Sequence, residues 1–351
     1  MPDAVKYICL YFVLFMLLSS GAVSEEISIA VVGDMMFGAD ISRIVDKEGS
    51  LVPFAGTSQI LKDADITFGV LEGGIGTRGE AIYAKEHTFR SSPSAARSLS
   101  NAGFDVVSLA NPHIMDYGEE GFLDTLEFLS WYGIKHVGGG RNLKEARKPI
   151  VLTAKDTKVA FLAYYRGSEF DTSFAKENKP GPAFPVYAEL EQDIKTAKAQ
   201  ADVVIVSMHW GIQTETDQIT RRQKMYAHRF IDSGADAVIG QQLHKLHGIE
   251  IYKGKPIIYS LGDFIYGTYA KLLPVGFIPR FIFSSNKLLR LELIPLSTSD
   301  ARKNSYFPVV VNGQAAQDAI ATLNKLSQGL GAKIRMDGDI GIIEPGAVSN
   351  D

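Results

Sequence analysis

The sequence predicts a layered α/β fold with mixed rather than purely parallel sheets. Three observations carry this. Apolar runs of strand length alternate with helical stretches through most of the chain, and β-branched hairpins gather near its end. Runs such as ISIAVV (Ile27–Val32) are apolar throughout, as strands buried on both faces are. A length of 351 residues with 46% hydrophobic and 22% charged content suits one large or two modest domains with a full-sized core.

In chain order, the Ile27–Val32 strand ends at Gly33-Asp34. A polar loop containing Ser50 and Gly56 follows, then a short helix ending near Lys62. A strand at Ala64–Leu71 runs into Glu72-Gly73-Gly74 and a long Gly-rich, charged loop reaching Phe89. Ser94–Ala102 reads as a helix closed by Gly103, and Asp105–Leu109 as a strand ending at Ala110-Asn111-Pro112-His113. Phe122, Leu123, Leu126 and Leu129 recur at helical spacing within Glu119–Trp131, which Gly133 stops. Short strands are expected at Ile134–Val137, Ile150–Leu152 and Val159–Ala163, with one helical turn at Asn142–Arg147. Phe170–Pro185 lacks periodicity and reads as an exposed loop. Helices at Glu189–Gln200 and Gln218–Ser233 flank a strand at Val203–Ser207. Strands at Ala237–Ile239, Phe277–Phe283, Leu288–Leu293 and Met336–Ile343, and a helix at Ala315–Ser327, complete the chain.

The first 24 residues stand apart. Lys6 precedes the apolar run Tyr7–Leu18, and small residues at Ala22 and Ser24 suit cleavage before Glu25, the layout of a secretory signal. The run is shorter than the roughly 20 residues of a spanning helix; an uncleaved anchor over residues 7–20 is the alternative. Either way the chain is expected to be exported to the periplasm or cell surface. The single cysteine, Cys9, falls within this run, so the mature chain would hold no disulfide and no cysteine–metal site. The expected division is 1–24 signal or anchor, 27–298 a single α/β domain, and 299–351 a C-terminal extension packing on or beside it. A formal net charge of −4 gives no basic nucleic-acid surface.

The chain is organised around Ile239–Gly267, IGQQLHKLHGIEIYKGKPIIYSLGDFIYG, which reads as loop, hairpin and loop. Here and elsewhere, apolar strands end in metal-competent residues: Asp34, Glu72, Asn111 with His113, His209, and His244. Carboxylates, amides and imidazoles at strand ends suit a hard or borderline divalent cation, and ligands of open α/β sheets bind beyond the carboxyl ends of strands. Alone, Asp34 would read as a turn cap, Glu72 as a solvated loop acid, and His113, His209 and His244 as structural histidines. Their recurrence favours a site.

Five segments, in this order, resemble the bacterial capsule-synthesis CapA family, also called the poly-γ-glutamate biosynthesis family. They are VVGDMMFGAD (Val31–Asp40), GVLEGGIG (Gly69–Gly76), SLANPHIMDYGEEG (Ser108–Gly121), VSMHWG (Val206–Gly211) and Ser233–Gly267. The resemblance implies a metallophosphoesterase-like fold, a four-layer α-β-β-α sandwich of two mixed sheets. It also implies metal ligands at Asp34, Glu72, His209 and His244, with His113 as the catalytic acid. Two positions depart from the family pattern. Pro112 stands where the family has a ligand Asn, and Gln242 where it has a His. Asp263 replaces the usual Asn and adds a carboxylate near the cluster. One divalent ion (Mn, Zn or Fe) is therefore expected rather than two. Asn111, Arg90 and Gln242 are the candidate substrate contacts.

Asp116-Tyr117-Gly118 reads as a structural turn holding the His113 loop, Trp210 as core, and Arg221-Arg222 as a solvated helix face. His228 reads as exposed, and His247 as surface or near the site. What the resemblance implies is an exported, metal-dependent hydrolase that makes, attaches or trims an anionic extracellular polymer. The alternative is a non-catalytic accessory subunit that binds the polymer or a membrane synthase.

Overall fold

The computed structural model describes residues 25–83, 85, 87–167, 173–210, 218–241, 243–266, 275–298 and 307–345. The expected signal or anchor, 1–24, lies outside them. Among the described residues no helix is long and apolar enough to cross a membrane.

The first half contains β1 (Glu26–Met35), α1 (Gly38–Glu48), α2 (Ser58–Lys62), β2 (Ile66–Leu71), α3 (Ser94–Ala102), β3 (Val106–Ser108), α4 (Gly118–Trp131) and β4 (Lys135–Val137). Its four strands lie side by side and parallel in that order. The chain then passes through α5 (Leu143–Ala146), β5 (Ile150–Ala154), β6 (Thr157–Tyr165), α6 (Leu190–Lys198), β7 (Val203–His209), α7 (Arg221–Asp232), β8 (Ala237–Gln241), β9 (Ile249–Tyr252) and β10 (Lys255–Ile258). These strands build a six-stranded sheet of order β9-β10-β8-β7-β6-β5, in which β6, β7, β8 and β10 are parallel.

After β10 the chain returns to the first sheet. The short β11 (Asp263–Ile265) pairs parallel with β1. The long β12 (Gly276–Ser284) and β13 (Lys287–Ser297) follow as an antiparallel pair, with β12 on the side of β1 away from β2. Beyond them come α8 (Gln314–Leu326), β14 (Arg335–Asp337) and β15 (Ile340–Ile343). β15 pairs with β13, so the sheet runs β14-β15-β13-β12-β1-β2-β3-β4, with β11 beside β1 and Val309–Val310 beside β13.

The pleat explains the layers. In β1, Ile27, Ile29 and Val31 point into one core, shared with Val203 and Ile205 of β7. The alternate residues Ala30 and Val32 join a second core with Ile41 and Val45 of α1, Leu99 of α3 and Phe122 of α4. In β7 the alternates Val204, Val206 and Met208 meet Ile194 of α6 and Phe230 of α7 in a third core. Alternation at period 2 on doubly buried strands thus gives three apolar interfaces, and three interfaces make four layers, α-β-β-α. Phe68 and Phe161 stack across the two sheets at 5.2 Å, a contact worth about 0.5–1.5 kcal/mol beyond its buried area. Ile320 and Leu323 of α8 also enter the inter-sheet core.

Four local expectations differ from the structure. Where a polar loop is expected after Asp34, α1 forms, because Ile41, Ile44 and Val45 share one helical face and two of them are fully buried. The expected last strand is a hairpin, β14–β15, turned at Gly338, whose φ of +58° favours glycine. Within the expected exposed loop, Phe174, Ala175 and Ala183 are buried, and Gly181–Pro182 pairs with Gly139–Gly140. His228 is half-buried rather than exposed. It stacks on Tyr252 at 3.8 Å and its Nε2 lies 3.0 Å from Glu250 Oε1.

Candidate metal centre

The carboxyl ends of β1, β2, β3, β7 and β8 open onto one edge of the sandwich, and a close backbone approach completes the site there. Gly33 packs so tightly on Gly262 that a Cβ at Gly33 would lie 2.0 Å from the Gly262 carbonyl oxygen. Gly262 itself has a φ of +66°. Only this pair of glycines lets Asp34 N donate to Gly262 O at 3.2 Å and Met36 N to Ile265 O at 2.7 Å. The resulting register sets Asp34 opposite Asp263.

Asp34, His244 and Asp263 each offer a ligand atom, and these atoms all lie within 4.8 Å of one another. His244 sits at a φ of +52°, a strained conformation for a non-glycine residue. Its Nδ1 is 2.8 Å from Asp263 Oδ1, and its ring packs edge-on to Tyr266 at 4.9 Å. Two further groups flank the triad without belonging to it. His209, from the end of β7, places Nδ1 3.7 Å from Asp34 Oδ1. Glu72 donates its N–H to Met35 O at 3.0 Å, which seats it beside the end of β1. Both are about 1% exposed.

Electrostatics and hydrogen bonding show the character of this cluster. Burial raises the Glu72 carboxyl; His244 and His113 act to lower it, Asp263 and Asp116 push it further up, and the net is upward. Burial, then the charges of His244 and His113, hold His209 well below the ordinary imidazole range, so it is neutral. For His244 burial acts downward, but the Asp263 hydrogen bond and the charges of Glu72, Asp263 and Asp34 override it and push the ring up to about 10. The ring is thus held toward its charged form by the acidic side chains around it. Among the described residues, Glu72 Oε2, Asp263 Oδ2 and both ring nitrogens of His209 are buried with no hydrogen-bond partner. Buried polar atoms are rarely left so. Carboxylate oxygens and neutral imidazole nitrogens are the donor set of a borderline divalent cation. The residues present therefore fit such an ion.

His113 stands at the side of this cluster. Its Nδ1 lies 2.8 Å from Asp116 Oδ2, and its ring meets Phe89 edge-on at 4.5 Å. Phe89 in turn contacts Tyr266 at 6.4 Å. An aromatic wall therefore runs from His113 through Phe89 and Tyr266 to His244.

Of the other expected site residues, Asn111 is buried and its amide is engaged by the backbone. It donates Nδ2 to Leu71 O at 2.7 Å and accepts from His113 N at 3.1 Å. Arg90 lies over the Tyr117 ring at 4.0 Å and donates to the Gly79 carbonyl at 3.1 Å. Gln242 lies outside the described residues. Trp210 is core, donating Nε1 to Tyr259 O at 3.0 Å. The sequence places Asp263 near the cluster but outside the expected ligand set; the pairing of β11 with β1 brings it opposite Asp34. Asp116 sits in a segment that reads as a structural turn, and the His-x-x-Asp spacing brings its side chain to His113. Nothing in the sequence pointed to Lys85, which contacts Asp116.

A family model described as bacterial capsule synthesis protein PGA_cap matches residues 28–268. The PGA biosynthesis protein CapA of Bacillus subtilis (strain 168) is 30% identical over 284 residues, covering 79% of this chain and 73% of that protein. The capsule biosynthesis protein CapA of Bacillus anthracis is 27% identical over 284 residues, covering 79% and 69%. Among solved structures, a hypothetical protein from Thermus thermophilus aligns with a TM-score of 0.51 at 16% identity, covering 77% of this chain and 99% of that one, a likeness of fold. The calcineurin-like phosphoesterase YfkN from Bacillus subtilis aligns at 0.42 and 14% identity, covering 86% and 97%.

Proposed function

This chain belongs to the bacterial capsule synthesis protein family, and from that premise we propose that it is a cation-dependent hydrolase with one cation position. It acts in the synthesis, attachment or trimming of an anionic extracellular polymer. The observation that carries this reading is the meeting of Asp34, His244 and Asp263 within 4.8 Å. Asp34, His244 and Asp263, with Glu72 and His209 alongside, would hold a divalent ion, which would supply Lewis-acid polarisation of the scissile group and activation of water. The chain's own residues do the rest. Neutral His209 offers a lone pair without having to lose a proton. The Phe89 and Tyr266 rings shield one side of the cleft from bulk water. His113, held at Nδ1 by Asp116, keeps Nε2 for the proton that the leaving group takes. The bond cleaved is a phosphoester or an amide of a γ-glutamyl or cell-wall chain. Export by residues 1–24, or tethering through 7–20, would set this work in the cell envelope.

One observation favours a second reading, a non-catalytic accessory subunit bound to polymer or to a membrane synthase. Pro112 has no donor atom, and the Asn111 amide is engaged by Leu71 and His113, so this corner offers no side chain to a second ion. Residues 25–351 should be assayed with Mn²⁺ and Zn²⁺ on bis(p-nitrophenyl) phosphate and on γ-glutamyl peptides. Cation-dependent turnover abolished by His244→Ala supports the hydrolase. Cation binding and polymer binding without turnover supports the accessory subunit.

A further inference from the structure

Asp116 has no exposed surface, yet its two oxygens serve two different masters. Oδ2 holds His113 Nδ1 at 2.8 Å and also accepts from Phe89 N at 2.8 Å. Oδ1 receives Lys85 Nζ at 2.6 Å. The same ammonium also donates to the Pro112 carbonyl at 2.5 Å. Lys85 therefore brackets the His113 turn from both ends. It reaches there from the long loop after Glu72, which is itself fastened at several points. Thr77 N, Arg78 N and Arg78 Nε all donate to Asp124 of α4. Ile82 N donates to Asp116 O at 2.9 Å.

We infer that Lys85 is a positioning residue for His113, acting through Asp116: its charge keeps the buried carboxylate a pure acceptor and so fixes which nitrogen of the histidine carries the hydrogen. The chemistry is direct. A buried carboxylate without a facing cation is costly and takes up a proton instead. Both its oxygens already accept from groups that can only donate, the Lys85 ammonium at Oδ1 and the Phe89 N–H at Oδ2, so Nδ1 of His113 is the nitrogen that carries the hydrogen. Nε2 is then left to give and take the proton of the reaction. Were the carboxylate neutral, its O–H would donate to Nδ1 and the ring hydrogen would move to Nε2. Phe89 N–H favours the anion too, but as a neutral donor it cannot replace the charge.

The inference rests on the reading that His113 delivers a proton, and the test separates the two. Long-range ¹H–¹⁵N spectra of residues 25–351 report the tautomer of each neutral histidine, and His113→Asn identifies the signal of interest. At alkaline pH the unsubstituted protein should show the Nδ1–H form. Lys85→Met should shift His113 to the Nε2–H form. Lys85→Gln, which retains a donor for the Pro112 carbonyl but no charge, should do the same. Lys85→Arg should keep the Nδ1–H form. Lys85 is one-third exposed, and an unchanged backbone amide spectrum confirms folding of each variant. An Nδ1–H ring in both Lys85→Met and Lys85→Gln overturns the inference. In the hydrolase assay Lys85→Met should lose on the order of 10- to 100-fold in rate, the range carried by groups that orient a histidine, and Lys85→Arg should recover it. A shifted tautomer in a chain that hydrolyses nothing would uphold the relay and sink the hydrolase reading.

Discussion

Asp34 and Asp263 face one another across the parallel pairing of β1 and β11, both nearly or fully buried. At about 4 Å two like charges repel by about 4 kcal/mol at an effective dielectric of 20. The His244 ring, 2.8 Å from Asp263 Oδ1, offsets the repulsion, and the backbone contact of Gly33 with Gly262 brings the two residues together. That contact is the weakest point to attack without touching any donor atom. Gly33→Ala would drive its Cβ to 2.0 Å from the Gly262 carbonyl, and backbone cannot yield as a side chain does. A loss of about 1–3 kcal/mol in urea unfolding is expected, with a parallel loss of cation affinity. Unchanged stability would mean that β11 is not clamped to β1.

Asp263→Asn keeps the volume and removes one negative charge. It also takes from His244 its charged partner at 2.8 Å. Affinity for Mn²⁺ in titration calorimetry should fall by at least about 10- to 100-fold. An unchanged affinity would remove Asp263 from the ligand set.

Asp124 anchors the loop after Glu72 by accepting from Thr77 N, Arg78 N and Arg78 Nε. Burial pushes this carboxyl up, but those backbone and side-chain hydrogen bonds outweigh it and hold it below its ordinary value of 3.8. With the folded value depressed, the stabilisation is fully present above the unfolded value and is lost as pH falls through the folded one. Asp124→Asn should therefore cost about 1.5–3 kcal/mol at neutral pH, and the gap to the unsubstituted protein should close as pH falls below about 4. Denaturant melts across that range check it; a gap that persists in acid contradicts the charge-based account.

Pro112→Asn with Gln242→His supplies side chains that the resemblance implies for a second ion. Metal analysis of this double variant should show bound cation rising from one equivalent toward two, with a rise in phosphodiesterase rate. A stoichiometry that stays at one would end the idea of a decayed second position.

The layers were legible because strands such as β1 and β7 carry unbroken apolar runs, Ile29–Val32 and Val203–Val206, buried on both faces. The ligand positions were legible because each follows such a strand. What could not be read was pairing at a distance. Asp263 joins Asp34 only because β11 crosses from one sheet to the other, and no local signal records that step. Lys85 meets Asp116 through a loop without periodicity. Helix α1 escaped because Asp40, Arg43, Asp46 and Lys47 dilute its apolar face to Ile41, Ile44 and Val45. Arg90 looked available in sequence, whereas the Tyr117 ring and loop carbonyls engage it.

The proposed chemistry requires Asp34, His244 and Asp263 to hold one divalent cation. Calorimetric titration of Mn²⁺ or Zn²⁺ into metal-stripped residues 25–351 tests it most directly, alongside Asp34→Ala, His244→Ala and Asp263→Ala. One tight equivalent is expected in the unsubstituted chain, and its loss in each variant. Two tight equivalents, or one that survives all three substitutions, would contradict it.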